Sequence, residues 1–486
     1  MNEYSMMKPL LHVLIILLFV FPVNLKAQSL IPVTSKDPEA IALFRKAFHA
    51  ADESETKEAE KLYLQALEKD TGFALAYMQL ALLQGEFSKR TAYMTRAMQH
   101  INSVSEGERL WILGRNAFYG NGKREDEFGY FEKLVALHPE DAIAQYLYGY
   151  MNHHHGRKNY AKAIEHLEKS VQLKPTYLTA LDDLAFAYME IQDFANAERV
   201  LLRLISLQPR KVNPRDAYGE MLLRSGRFHE SIEAYRKALD IDPGYAWSIF
   251  GVATNLNFID RHAEARAFLA PLLTTPLPER ESYHLMHAYQ CSYLDEGKVD
   301  SAILILKQHG AAAKQKNRFT QRFLALSNAT RILFEHGDTI RGKEAYQELN
   351  AFVQNETQNE GLKKQTAALK LYYDAYALYI GGHTAEARRA LEAYVAAKGN
   401  ADDQSKILLT KLHLREKDVA GAEAFLKQCD AGNPYVQFWL AKTYLLSKRS
   451  NEARTLLKKV AELNQMHELD YQLVRRPAIE LLRGLR

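Results

Sequence analysis

The stretch LTALDDLAFAYMEIQDFANAERVLLRLISLQP, residues 178–209, decides the fold. Leu181, Leu184, Ala185 and Tyr188 recur at helical spacing and form one apolar stripe. Gln192 and Asp193 break it, and Phe194, Ala197, Leu201 and Leu204 then form a second stripe. Pro209 ends the second helix, because proline lacks the amide hydrogen a helix needs and pushes the residue before it towards extended geometry. The stretch reads as helix, turn, helix.

The same pattern returns on both sides at a fixed interval. Ala163, Ala197, Ser231 and Ala265 are each 34 residues apart, as are Pro175, Pro209 and Pro243, and Leu167, Leu201, Tyr235 and Leu269. The following unit repeats the order with Tyr218, Gly219 and Leu222, a turn at Gly226, then Phe228, Ser231, Tyr235, Ala238 and Pro243. Small residues such as Ala185, Gly219 and Ala197 let helix backbones approach where a larger side chain would overpack the contact. A period of this length predicts helical pairs stacked into an all-α solenoid, which offers a long concave surface and builds no catalytic pocket by default.

These residues resemble the tetratricopeptide repeat, whose signature is an aromatic, then Leu-Gly and Tyr, then Ala with Phe four residues on, then Pro. The resemblance is closest from Ala142 to Leu277. Upstream, Trp111, Phe118, Phe131 and Pro139 form one further unit, and Leu43, Ala47, Ala59, Tyr63 and Ala66 another. Downstream come Gly297 with Ala302 and Leu306, Gly337 with Tyr346 and Leu349, Gly382 with Ala387 and Leu391, Ala422 with Leu426, and Ala453 with Leu457. The resemblance implies a right-handed α-solenoid of about twelve helical pairs over residues 36–465. The unit containing Gly149 carries two extra residues around His155 to Lys158, and residues 311–318 and 355–364 read as longer connections. Residues 466–486, with Leu473, Ile479, Leu481 and Leu482 but no repeat signature, are expected to form a C-terminal capping helix whose deletion lowers solubility.

The resemblance also assigns faces, since the first helix of each pair lines the concave groove in this family. The groove would then include Arg109, Asn116 and Tyr119, then Tyr146, Tyr150 and His153, then Asp182, Phe186 and Met189. Further along it would include Trp247 and Phe250, and Tyr372, Tyr376 and Tyr379. Aromatic side chains give large rigid contact areas and are enriched at binding surfaces, although such rings also pack between helices. Some members hold a chaperone's C-terminal carboxylate with lysine and asparagine in successive first helices. Here Asn116 stands at one such place, but the next units carry Tyr146, Tyr150, Asp182 and Phe186, so that set is not assembled.

At the N-terminus, Lys8 precedes an apolar run from Leu10 to Phe21, followed by Pro22 and by Leu25, Lys26 and Ala27. This reads as a signal peptide over residues 1–27, too short for a membrane span, which needs about 20 apolar residues. Cleavage after Ala27 would export the chain to a periplasmic or extracellular location. An uncleaved segment would be its one membrane contact. The 63 basic and 59 acidic residues give a net charge of +4, which is no electrostatic footprint for nucleic acid. Cys291 and Cys429 lie in different repeats and are not expected to pair. No catalytic motif is present, because the cluster of Gly120, Gly122 and Lys123 lacks the spacing of a phosphate loop. His153, His154 and His155 could suggest a metal, but adjacent residues on a helix point about 100° apart, so no metal site and no cofactor are expected. The expectation is a non-enzymatic exported scaffold that binds a protein or peptide in its concave groove. The alternative is a small-molecule or glycan-binding protein of the cell envelope.

Overall fold

Residues 178–209 form two packed helices, Leu178–Glu190 and Phe194–Leu207, and Gln192 between them adopts a left-handed backbone with φ of 61°. Gly226, Gly297, Gly337 and Gly382 hold positive φ at the corresponding turn of later pairs. Asp260, Lys417 and Lys448 do so without glycine, which shows that the turn geometry is common to the repeats even where its preferred residue is missing. The computed structural model describes residues 30–154, 157–275, 278–465 and 469–485. Among the described residues there are 25 α-helices and no strand. None of these helices is long and apolar enough to cross a membrane. The signal-peptide reading of residues 1–27 lies outside the described residues, as do His155 and residues 466–468 of the C-terminal segment.

The helices fall into two units, residues 1–207 and 208–486. The N-terminal unit holds α1 (Pro38–Asp52), α2 (Thr56–Lys69), α3 (Ala74–Leu83), α4 (Phe87–Gln99), α5 (Glu106–Tyr119), α6 (Glu127–Leu137), α7 (Ala142–His153), α8 (Tyr160–Leu173), α9 (Leu178–Glu190) and α10 (Phe194–Leu207). Each odd-numbered helix packs with the even-numbered one after it. Glycines on first helices meet large side chains on second helices: a Cβ on Gly114 would lie 2.5 Å from the Phe131 ring and one on Gly149 2.9 Å from Leu167. This unit also closes on itself. The Asp52 carboxylate at the end of α1 accepts from the amides of Leu178 (3.2 Å) and Thr179 (2.9 Å), capping the start of α9 in place of the local N-cap residue Tyr177.

The C-terminal unit holds α11 (Asn213–Arg224), α12 (Phe228–Leu239), α13 (Ala246–Phe258), α14 (His262–Leu269), α15 (Glu279–Asp295), α16 (Val299–Gln315), α17 (Phe319–Glu335) and α18 (Thr339–Glu356). It continues with α19 (Glu360–Ile380), α20 (Thr384–Lys398), α21 (Asp403–Arg415), α22 (Val419–Leu426), α23 (Pro434–Leu446), α24 (Ser450–Ala461) and α25 (Leu469–Gly484). The C-terminal helix does more than cover the last repeat. It packs on α23 and α24 through Val474 and Ala478, and it also reaches back to α13, α15 and α17. Contacts therefore run beyond immediate neighbours in both units, from α1 to α9 in the first and from α25 to α13, α15 and α17 in the second.

Candidate functional site

In the N-terminal unit the chain ahead of α1 runs in non-helical conformation past the starts of α3, α5 and α7, and acidic side chains there hold its main chain. The Ile31 amide donates to the Asp141 carboxylate (2.9 Å), the Thr34 amide to Glu108 (2.6 Å) and the Lys36 amide to Asp70 (3.0 Å). Two of the three acceptors also serve a helix start, while Asp70 follows the end of α2 and accepts from the Gly72 amide (2.9 Å) in the turn before α3. Asp141 caps α7, and Glu108 completes a capping box with Ser105 at α5. Beside this segment opens a cleft of about 630 Å³ with Phe44, Phe48 and Trp111 on its floor and Ile143, Arg45 and Lys174 around it. Phe48 meets Trp111 edge-on at 6.1 Å and Tyr177 at 6.4 Å. The Lys174 ammonium stands 4.5 Å from the Tyr177 ring centre, and the cleft pairs its apolar lining with charges of both signs, Arg45 and Lys174 beside Glu140 and Asp141.

The adjoining wall is built by first helices. The buried guanidinium of Arg115 on α5 lies over the rings of Phe131 (5.4 Å) and Tyr150 (5.6 Å). Burial pushes the neighbouring Glu127 carboxyl up to about 7, against the pull of Arg115 and Arg124. Tyr146 and Tyr150 on α7 continue the wall, and the Tyr146 ring packs 5.2 Å from that of Tyr177. Tyr119 and Phe186 are half-buried, Asn116 is half-buried, and Arg109 and Asp182 are exposed, with Arg109 paired to Glu106 at 2.7 Å.

The C-terminal unit shows a filled concave face. α25 lays Tyr471 against Phe258 of α13 (6.2 Å between rings) and donates from Gln472 to the Cys291 carbonyl of α15 (3.3 Å). Asp470 pairs with Arg331 of α17 and accepts from Asn433 ahead of α23 (3.2 Å). Next to this pair lies a buried polar cluster in which the Lys411 ammonium contacts Glu335 (3.2 Å) and the hydroxyls of Tyr435 (3.0 Å) and Tyr376. Burial lowers the Lys411 ammonium. It would raise the Glu335 carboxyl, but Lys411, Tyr435 and Arg331 outweigh it and hold that group below the ordinary range.

Five groove assignments are therefore corrected. Tyr146, Phe250, Tyr372 and Tyr376 are 7%, 3%, 7% and 4% exposed, so they pack between helices and offer no contact area to a partner. Met189 is likewise buried. Of that set in the C-terminal unit, Trp247 is half-buried against His284 (4.6 Å), and Tyr379 is half-buried beneath the Arg415 guanidinium (4.1 Å). Sequence reasoning missed Phe44, Phe48, Ile143 and Lys174. The phenylalanines at i and i+4 on α1 carried a signal, but the fold-back that brings Phe48 to Trp111 has none at the repeat period. The Cys291 thiol lies 3.8 Å from the His287 ring nitrogen, yet burial pushes the thiol well above its ordinary value, the opposite of an activated nucleophile.

Known families match several parts of the chain. Tetratricopeptide repeat descriptions fit residues 154–214 and 413–476, residues 116–177, and residues 216–245. The chain is a tetratricopeptide-repeat protein. Among curated proteins it is similar to the small glutamine-rich tetratricopeptide repeat-containing protein 2 of Mycosarcoma maydis, with 29% identity over 86 residues, or 18% of this chain. The chain spans 24% of that relative's length. Similar solved structures include a tetratricopeptide repeat protein from Parabacteroides merdae, with 15% identity, TM-score 0.35, and coverage of 56% of this chain and 92% of that one. Yeast Tom70 gives 13% identity, TM-score 0.36, and coverage of 93% and 96%. YrrB, described as having an unusual peptide-binding site, gives 16% identity, TM-score 0.29, and coverage of 46% and 96%. Repeats of this family make a protein-interaction scaffold.

Proposed function

We propose that this chain is an exported, non-enzymatic scaffold that binds an extended segment of a protein partner in the cleft of its N-terminal unit. One observation carries the reading: residues 31–36 already lie there as a non-helical segment, with main-chain amides of Ile31, Thr34 and Lys36 held by Asp141, Glu108 and Asp70, beside a cleft whose lining includes the half-buried Phe48 and Ile143. A second segment alongside would place an apolar or aromatic side chain on the half-buried Phe48 and Ile143 and an acidic group towards Lys174 and Arg45. The concave face of the C-terminal unit is less available, since α25 occupies it.

A peptide-display library panned over residues 28–486 tests this reading. Sequences pairing an apolar anchor with nearby acidic residues should be enriched, and the synthetic peptides should lose about ten-fold or more in affinity with Phe48→Ala or Lys174→Glu at unchanged helix content. Absence of enrichment, or affinity indifferent to both variants, overturns it. A thermal shift with a glycan panel and none with peptides would favour the small-ligand reading, for which the cleft volume is also suitable. Export is tested by N-terminal sequencing of the mature protein, which should begin at Gln28. A chain that keeps Met1 and stays in the cytoplasm refutes that part.

A further inference from the structure

The turn after α7 departs from the repeat period, and the departure changes what its histidines can do. α7 ends at His153, and His154 leaves the helix with φ −96° and ψ −175°. The amide of Asn159 then closes the longer turn on the Asn152 carbonyl at 2.9 Å. The 100° rule for neighbours on a helix therefore does not apply to this pair, and the rings of His153 and His154 come to 4.2 Å between centres at an interplanar angle of 48°. On α9, one repeat further on, Asp183 places its Oδ1 3.1 Å from His154 Nε2. One donor atom from each of His153, His154 and Asp183 lies within 4.8 Å of the other two.

We propose that His153, His154 and Asp183 form a binding site for a first-row divalent transition metal ion, Zn(II) in the first instance. A four-coordinate ion with ligands about 2.0–2.2 Å away needs its donors roughly 3.4 Å apart. The His154–Asp183 pair already meets this, and the third donor needs an imidazole movement on the order of 1 Å. Two imidazoles and one carboxylate select zinc-like ions over magnesium or calcium, which prefer all-oxygen sites. Three protein ligands leave a fourth position for water or for an outside donor. The ion would fasten the end of α7 to α9 at the turn that the 34-residue period does not require.

The test uses the full chain, purified without a histidine tag. Expected results are one zinc per chain after dialysis, measured by mass spectrometric metal analysis, and visible d–d bands of four-coordinate geometry on Co(II) titration. His154→Ala and Asp183→Asn should each weaken Zn(II) binding by about ten-fold or more, while His229→Ala, exposed in the other unit, leaves it unchanged. Circular dichroism of the metal-free variants establishes that they remain folded, so a loss of binding reads on the site. Zinc binding unaltered by a His153→Ala, His154→Ala double substitution overturns the proposal, as does absence of saturable binding to the parent chain. In the latter case the His154–Asp183 contact is a hydrogen bond between repeats and nothing more.

Discussion

Replacing Gly251 with alanine tests the packing rule that lets these repeats stack. The Tyr235 ring of α12 is fully buried between two glycines of neighbouring first helices. A Cβ on Gly251 would lie 2.3 Å from the ring atoms Cε2 and Cζ, and one on Gly219 would lie 2.8 Å from Cδ1 and Cε1 on the other side. Carbon atoms in good contact stand about 3.5–4.0 Å apart, so the ring must retreat by more than ~1 Å, and Gly219 on the opposite side leaves no room for that. Overpacking of this kind costs about 1–3 kcal/mol. Because the ring has nowhere to go, the upper end of that range, about 3 kcal/mol, applies; the alanine returns up to about 1 kcal/mol of helix propensity, so the net loss should be near ~2 kcal/mol. Hydrogen exchange of the α11 to α13 amides should accelerate by roughly 30-fold. Combining Gly251→Ala with Tyr235→Leu should recover much of the loss, because the alanine methyl then enters space the ring vacated. Gly129→Ala on α6 is the contrast: nothing lies within 4 Å of its Cβ position, so that variant should gain up to about 1 kcal/mol. A Gly251→Ala protein as stable as its parent, or a loss undiminished in the double variant, would refute the reasoning.

Three further outcomes follow from the C-terminal unit. Burial pushes the Asp295 carboxyl from 3.8 up to about 7, so the folded protein holds a proton that the unfolded chain releases between those values. Stability from this group is therefore lost as pH rises from about 4 to about 7, and Asp295→Asn should raise the melting temperature at pH 8 while changing it little at pH 4. Lys411→Met should cost on the order of 3–5 kcal/mol in urea unfolding, since it strands the buried Glu335 charge, and adding Glu335→Gln should recover part of that. Truncation after Gln465 removes the cover from Phe258, Met286 and Ile303 and the partner of Arg331, so the shortened chain should bind hydrophobic dyes and aggregate. A monodisperse, dye-negative truncation would contradict the placement of α25.

The helical pairs were legible because their cause is local. The stripes of residues 178–209 and the glycines at the turns act within one unit, and a period exposes what every unit shares. What distinguishes this protein lies where the period fails, and there the controlling contacts are distant in sequence. Asp52 reaches the start of α9 across 127 residues to Thr179, and Gln472 reaches Cys291 across 181, so no windowed pattern could pair them. Those closures decide which aromatic rings are free. They set Phe48 on Trp111 beside an open cleft, and Tyr376 with Lys411 in a buried cluster, although the family mapping placed Tyr376 and not Phe48 in the groove. The same logic explains the histidines. On an uninterrupted helix His153 and His154 would diverge, whereas α7 ends at His153 and one donor atom from each of the two lies within 4.8 Å of Asp183. An irregularity in a repeat is therefore the place to look for chemistry that the repeat itself does not supply.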